Sequence, residues 1–201
     1  MATYSLPSIV PEPTKQTFEL VSNTKTFKSP LTSAIQTVSR KGGHWKTKIT
    51  WSNLSGEQRT ALQGFLSKLN GMEHRVSLRD YGYTRSGNAP GTDSPSLYDD
   101  KMGSYIILKN VTGGVSNYLK AGDYISFNNE LHIVTQDCSS NSANRVGVYI
   151  SPPVRKQTTA GDSVEIYNPT APFIMTNNAQ WTTELARFSS ISIEAIEDVL
   201  A

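Results

Sequence analysis

The sequence predicts a mainly β protein: a β-barrel or sandwich domain with one packed α-helix, and a small all-β, barrel-like domain inserted into it. Three observations predict this. Trp45, Thr47, Ile49 and Trp51 alternate with Lys46, Lys48 and Thr50, which is the period of a half-buried strand. One stretch, 56–69, carries apolar residues at helical spacing. From 104 to 169, short apolar runs are separated by Gly, Asn, Asp and Pro, as in a small barrel or sandwich. Composition agrees: charged residues are 18%, below the usual ~25%, and Ser, Thr and Asn take their place, as polar strand faces require.

Residues 1–16 are punctuated by Pro7, Pro11 and Pro13 and must be extended. Two readings stay open: a loose arm, or a segment docked on a neighbouring subunit. Phe18, Leu20, Thr26 and Phe27 suggest a first strand or strand pair, and Ile35 and Val38 a second. After the Trp45–Trp51 strand, Ser55 and Gln58 have the spacing of a capping box, in which each side chain satisfies the other residue's backbone N–H. Ala61, Leu62, Phe65, Leu66 and Leu69 form the stripe, and Asn70-Gly71 supplies a left-handed stop. Val76 and Leu78, with Asp80 at the limit, open the next strand, so strand, helix and strand read as a compact βαβ-like unit.

Residues 81–103 are rich in Gly, Pro, Ser and Asp and read as a long loop. Beyond it, Tyr105–Leu108, Tyr124–Phe127, Leu131–Thr135, Val146–Ile150 and Val164–Tyr167 are strand candidates, and Asn128-Asn129 is the turn of a hairpin over 124–135. Ala121-Gly122-Asp123 and Ala160-Gly161-Asp162 echo one another, more simply as shared turn chemistry than as a repeat. Phe173, Ile174, Met175 and Trp181 follow, then Phe188, Ile191, Ile193 and Ala195 as an amphipathic strand in need of a partner. The expected division is therefore 1–81 plus 171–201 as one domain, with helix 56–69, and 82–170 as the inserted all-β domain.

The residues offer little chemistry. A net charge of +2, with its densest basic cluster at Arg40, Lys41, Lys46 and Lys48, is too weak for a nucleic-acid track. His44, His74 and His132 lack partners at metal-ligand spacing, and alternation places His132 toward solvent or a partner. Cys138 stands alone with nothing to activate it, which suits a reducing compartment. Asp80, Asp93, Asp99 and Asp100 lie in or beside the long loop, where Asp commonly caps turns. A glycosidase pair would need a separation that sequence cannot supply. Gly42-Gly43 and Gly113-Gly114 lack the Lys and Ser/Thr of a phosphate loop. Met1–Phe18 reads as neither a signal peptide nor a membrane span. No enzyme activity, catalytic residue, cofactor or metal is expected.

The ordered series of motifs has a counterpart. It runs from the Trp-containing strand and the helix ending in Leu-Asn-Gly, followed by a strand (45–78), to Leu-x-Ala-Gly-Asp-Tyr (119–124) and Leu-His-Ile-Val-Thr-x-Asp (131–137). It continues with Val-x-Ile-Ser-Pro-Pro-Val-Arg (148–155), Ala-Gly-Asp-x-Val (160–164), Asn-Pro-x-Ala-Pro-Phe (168–173) and the final amphipathic strand. Over about 40–201 this resembles the distal tail proteins of siphophages and prophages, and the first forty residues match least. The resemblance implies a structural virion protein of the tail tip or baseplate, assembled in the host cytoplasm as a homo-oligomeric, hexameric ring. Its partners would be the tail tube protein and the hub and fibre proteins. No membrane, and no nucleic acid beyond the tube lumen, is implied. The alternative is a carbohydrate-binding tail-tip module for host attachment that uses Tyr81, Tyr83, Tyr98 and the Asp-rich loop; a third reading is a cell-wall hydrolase.

Overall fold

The computed structural model describes residues 1–39, 42–100, 102–176 and 189–199. The expectations for Arg40, Lys41, Trp181 and Phe188 fall outside them. In chain order the elements begin with β1 (Thr3–Tyr4), β2 (Lys15–Val21), β3 (Thr24–Lys28), β4 (Ile35–Ser39), β5 (His44–Leu54), α1 (Gly56–Leu69) and β6 (Arg75–Leu78). They continue with β7 (Ser96–Leu97), β8 (Gly103–Lys109), β9 (Tyr124–Phe127), β10 (Glu130–Val134), β11 (Arg145–Val154), β12 (Ala171–Met175) and β13 (Ser189–Glu197). The protein is mainly β with one helix, in a six-stranded sheet, a five-stranded sheet and a separate two-stranded hairpin.

β5 organises the six-stranded sheet. Its alternation turns Trp45, Thr47, Ile49 and Trp51 inward, and Lys48 outward. Strict alternation would next turn Asn53 inward. Instead, Asn53 takes a left-handed φ of 59°, and the register with β13 shifts between Ile191 and Ser189. This bulge brings Leu54 into the core, just before the helix begins. Ser55 and Gln58 make both bonds of the capping box, and Asn70 ends α1 with φ 50°. Leu62, Phe65, Leu66 and Leu69 then pack on Trp51, Val76, Phe173 and Ile193.

The strand–helix–strand unit differs from the expected βαβ. The sheet order is β1-β6-β12-β13-β5-β2, so β12 and β13 lie between β5 and β6. The pairings β5 with β13, β13 with β12 and β12 with β6 are all antiparallel. Three inversions leave β6 opposed to β5, so α1 is not a parallel crossover. The cause is the insertion of two distant strands, which no local pattern reveals. β6 also stops at Leu78; Asp80 instead accepts the Gly82 N–H in a turn.

The second sheet, β7-β8-β11-β10-β9, curls so that its two edges are bridged by one segment. Ser163 pairs with Ser96 of β7, and Glu165 with Ser126 of β9. Val164–Tyr167 therefore supplies isolated bridges rather than the expected regular strand. Asn128 and Asn129 both have positive φ, 50° and 60°, as a two-residue hairpin turn of matching twist requires. Ile106, Leu108, Val146, Val148, Ile125 and Ile166 fill this second core.

Leu66→Ala is expected to lower unfolding free energy by about 2–5 kcal/mol, as for a fully buried leucine. Ser55→Ala should lower it by about 1 kcal/mol. Urea denaturation of each variant checks both the size and the order of these effects.

Candidate functional site

Most of the singled-out residues are used up in holding the fold. Tyr83 donates to Asp123, and its ring stands edge-on to Tyr124. Tyr81 is half-buried beneath the Arg79 guanidinium. Asp93 accepts from the Thr112 amide and hydroxyl and from the Tyr118 hydroxyl. Asp100 accepts the Ala160 N–H. The loop thus does not present Tyr81, Tyr83 and its carboxylates as one sugar-binding surface; of the three tyrosines, Tyr98 is the exposed one, at 38%.

Asp123, a residue the sequence did not single out, organises that loop. Its fully buried carboxylate accepts from the amides of Ser86, Gly87 and Lys120 and from the hydroxyls of Tyr83 and Ser86. Burial opposes its ionisation, but these hydrogen bonds outweigh burial and hold the carboxyl below the usual range. Gly87 has no room for a side chain: a Cβ there would meet the Tyr118 carbonyl at 2.6 Å and Asp123 at 2.7 Å. The signal was in the sequence as Gly-Asp before a strand, but its loop partners Tyr83, Ser86 and Gly87 lie 36–40 residues away.

His132 is a correction. It is fully buried, stacked on Phe127, with Nδ1 2.8 Å from the Pro152 carbonyl oxygen. Burial, with the nearby Arg155 cation, pushes it down to about 3 despite that bond. The ring is neutral, Nδ1 carries the proton, and Nε2 faces Glu130 at 3.5 Å without a hydrogen bond. Alternation misled because β10 has both faces covered: Leu131 lies in the first core and Val134 in the second.

His132 belongs to a buried polar junction between the two cores. Arg155 reaches Glu197 with Nη2 at 2.7 Å and Nη1 at 3.0 Å, and donates to the Gly43 carbonyl. Glu197 also accepts the backbone N–H of Trp45 and of Leu131, while the Trp45 indole donates to the Leu131 carbonyl. Glu130 accepts the amides of Arg155 and Lys156. Burial works against the Arg155 charge, but the two carboxylates outweigh it and raise its pKa. Apart from His132 Nε2 and Arg155 Nε, which face Glu130 at 3.5 and 3.4 Å without a hydrogen bond, the polar groups named here are bonded to one another, and the junction fixes geometry.

His44 and His74 lie apart at strand starts: His44 beside the Gly42 carbonyl, His74 edge-on to Tyr4. The Cys138 thiol is half-buried against the Leu119 carbonyl, and burial pushes its pKa up, away from the thiolate a nucleophile needs. Among the described residues no three metal-ligating side chains cluster, and no helix is long and apolar enough to cross a membrane.

The feature left unsatisfied is the hairpin β3–β4. It pairs only with itself, and every described side chain on both strands is exposed. Phe27 (57% exposed) shares one face with Val38, Ile35 (67%) lies on the other, and Leu31 (94%) sits at the tip. An isolated hairpin is marginal in water, and apolar groups on both its faces are what a contact surface needs. Its root, Gly43, is held by Arg155. Beside it, β2 forms an edge of the six-stranded sheet. No family model matches this chain, and no curated protein does.

Arg155→Met leaves two buried carboxylates without their cation and should destabilise the protein by about 3–5 kcal/mol in urea titrations. The pH dependence has a definite sign. His132 binds its proton more weakly folded than unfolded, so its contribution is whole above about pH 6.5 and is lost as pH falls toward about 3. Asp123 and Asp93, with lowered pKa values, add a further loss only below about pH 4. Unfolding free energies measured from pH 7 to pH 4 should fall on acidification. His132→Phe, which cannot bind a proton, should flatten the upper part of that slope.

Proposed function

We propose that this chain is a structural component of a phage tail tip, of the distal tail type. Copies of it form a ring, expected to be hexameric, that joins the tail tube to the hub and fibre proteins. The observation that carries this reading is the solitary hairpin β3–β4, which exposes apolar side chains on both faces and is followed by Gly43, bonded to Arg155 of the buried junction. A subunit that offers an arm and an open edge strand can give the arm to one neighbour and receive another's in return. Such a head-to-tail contact closes into a ring when the rotation per copy allows it. The open β2 edge provides main-chain donors and acceptors of the kind that pair strands between chains. The ordered motifs from Trp45 to the last strand support the same assignment by their resemblance to that family.

Light scattering and negative-stain microscopy on the purified full chain test it. The expected result is a closed ring. Phe27→Asp with Ile35→Asp is expected to give monomers whose thermal unfolding is nearly unchanged, because both side chains are exposed in the subunit. A chain that stays monomeric at every concentration, or a double variant that still forms rings, would overturn the reading.

A further inference from the structure

Charge is unevenly spread along this chain. Between Glu19 and Glu57 the sequence holds no carboxylate, yet it holds Lys25, Lys28, Arg40, Lys41, Lys46 and Lys48. With Lys15 and Glu19 included, residues 15–56 carry +6, and since the whole chain carries +2, the remainder carries −4. The described strands of this segment form one ribbon. β2 pairs with β5 as far as Val21 opposite His44, and the hairpin resumes at Thr24 opposite Ser39. At the rooted end the cations are answered within the chain: Lys48 Nζ lies 2.8 Å from Glu194 Oε1, and Lys46 stands opposite Glu19 in register. At the free end they are not. Lys25 and Lys28 are exposed, and among the described residues neither has a carboxylate within ion-pair distance. Lys25 shares one face of the hairpin with Phe27 and Val38, and Lys28 shares the other with Ile35. A surface that covers either face must therefore supply apolar area and a carboxylate together.

We propose that the hairpin docks on a carboxylate-bearing surface of a second copy, by ionic as well as apolar contact, so that salt controls assembly. The inference rests on the ring proposed above and adds the chemistry of its contact. The complementary charge is present in the same molecule: Glu57, Asp100, Asp137 and Glu165 are exposed and, among the described residues, form no ion pair. Within one subunit the two charges stay apart, because the hairpin pairs only with itself. A head-to-tail neighbour brings them together, since it presents a different part of the same surface to the hairpin. Attraction between exposed unlike charges speeds encounter and is screened by salt, the screening length shrinking from ~10 Å at 0.1 M to ~3 Å at 1 M. Burial of Phe27 and Ile35 is not weakened in that way. A nucleic-acid strand fits less well, because Lys25 and Lys28 lie on opposite faces and cannot follow one phosphate backbone. A flat anionic surface would reach only one of them.

Sedimentation velocity of the full chain from about 0.05 M to about 1 M NaCl tests it. Assembly is expected at the low end, with the concentration for half-assembly rising about tenfold or more toward the high end. Stopped-flow light scattering should show that rise mainly as slower association. Lys25→Gln with Lys28→Gln keeps every apolar group. It should raise the half-assembly concentration about tenfold at low salt and remove most of the salt dependence. Lys46→Gln with Lys48→Gln, at the compensated end, should leave both unchanged. None of these four lysines is buried, so nearly unchanged thermal unfolding separates lost docking from lost fold. Assembly that is indifferent to salt, or strengthened by it, overturns this inference and leaves a ring held by apolar contact alone. A Lys25 and Lys28 variant that assembles like the parent overturns it too, as does a Lys46 and Lys48 variant that loses the salt dependence. Tight binding of a duplex DNA, read by fluorescence anisotropy and lost in the Lys25 and Lys28 variant, would assign these cations to nucleic acid and overturn it as well. A chain that is monomeric at every salt and protein concentration overturns the ring itself, an outcome distinct from the others.

Discussion

The arrangement of the whole chain depends on a carboxylate buried at its far end. Glu197, the last residue of β13, is paired with Arg155 at the exit of β11 and with the backbone of Trp45 and Leu131. A buried charge without partners costs several kcal/mol, so these four segments are obliged to meet. Two carboxylates face one guanidinium, leaving one negative charge in excess. Four backbone N–H groups, from Trp45, Leu131, Arg155 and Lys156, compensate for it. A fully buried neutral His132 alongside adds no second cation. Such a junction admits one relative placement of the two cores, because sliding either one would unpair several groups at once.

That constraint reaches the surface. The hairpin leaves the six-stranded sheet after β2 and returns just before β5, and the Gly43 carbonyl at its return is bonded to the same guanidinium that holds Glu197. The arm's return to the sheet is therefore tied to the buried junction. An arm on a loose root would lose conformational entropy on docking, and a fixed root removes part of that cost. In the same way, β11 ends at Val154, one residue before Arg155.

The sequence was legible where structure is local. The alternation of β5, the capping box at Ser55 and Gln58, the left-handed Asn70 and the Asn128-Asn129 turn each rest on neighbours within a few residues, and each is found. It was illegible where partners are distant. The order of the six-stranded sheet follows from β12 and β13 entering between β5 and β6, a fact about residues more than 90 positions apart. His132 was misplaced because alternation assumes one wet face, and β10 is covered on both. The contact of Tyr105 with Tyr149 escaped for a related reason: the two are 44 residues apart in sequence and are joined only by the register of β8 on β11. Tyr81 and Tyr83 stood out because they are close in sequence, and the Asp123 cluster had already drawn Tyr83 inward.

The echo between Ala121-Gly122-Asp123 and Ala160-Gly161-Asp162 shows how a local signal acquires long-range meaning. Both glycines have φ 98°, and in both turns the aspartate carboxylate accepts the N–H three residues before it. Each turn launches a short extended segment, and the two segments bridge at Ser126 and Glu165, each four residues beyond its glycine. The same turn used twice therefore starts the two segments at matching distances from one antiparallel bridge. That bridge, with the one from Ser96 to Ser163, ties together the edges of the curled sheet. A sheet whose edges are occupied can bind only through its faces, whereas the other sheet keeps β2 at an edge. The two sheets therefore differ at their edges: β2 stays open to strand pairing, whereas β7 and β9 are bridged by one segment.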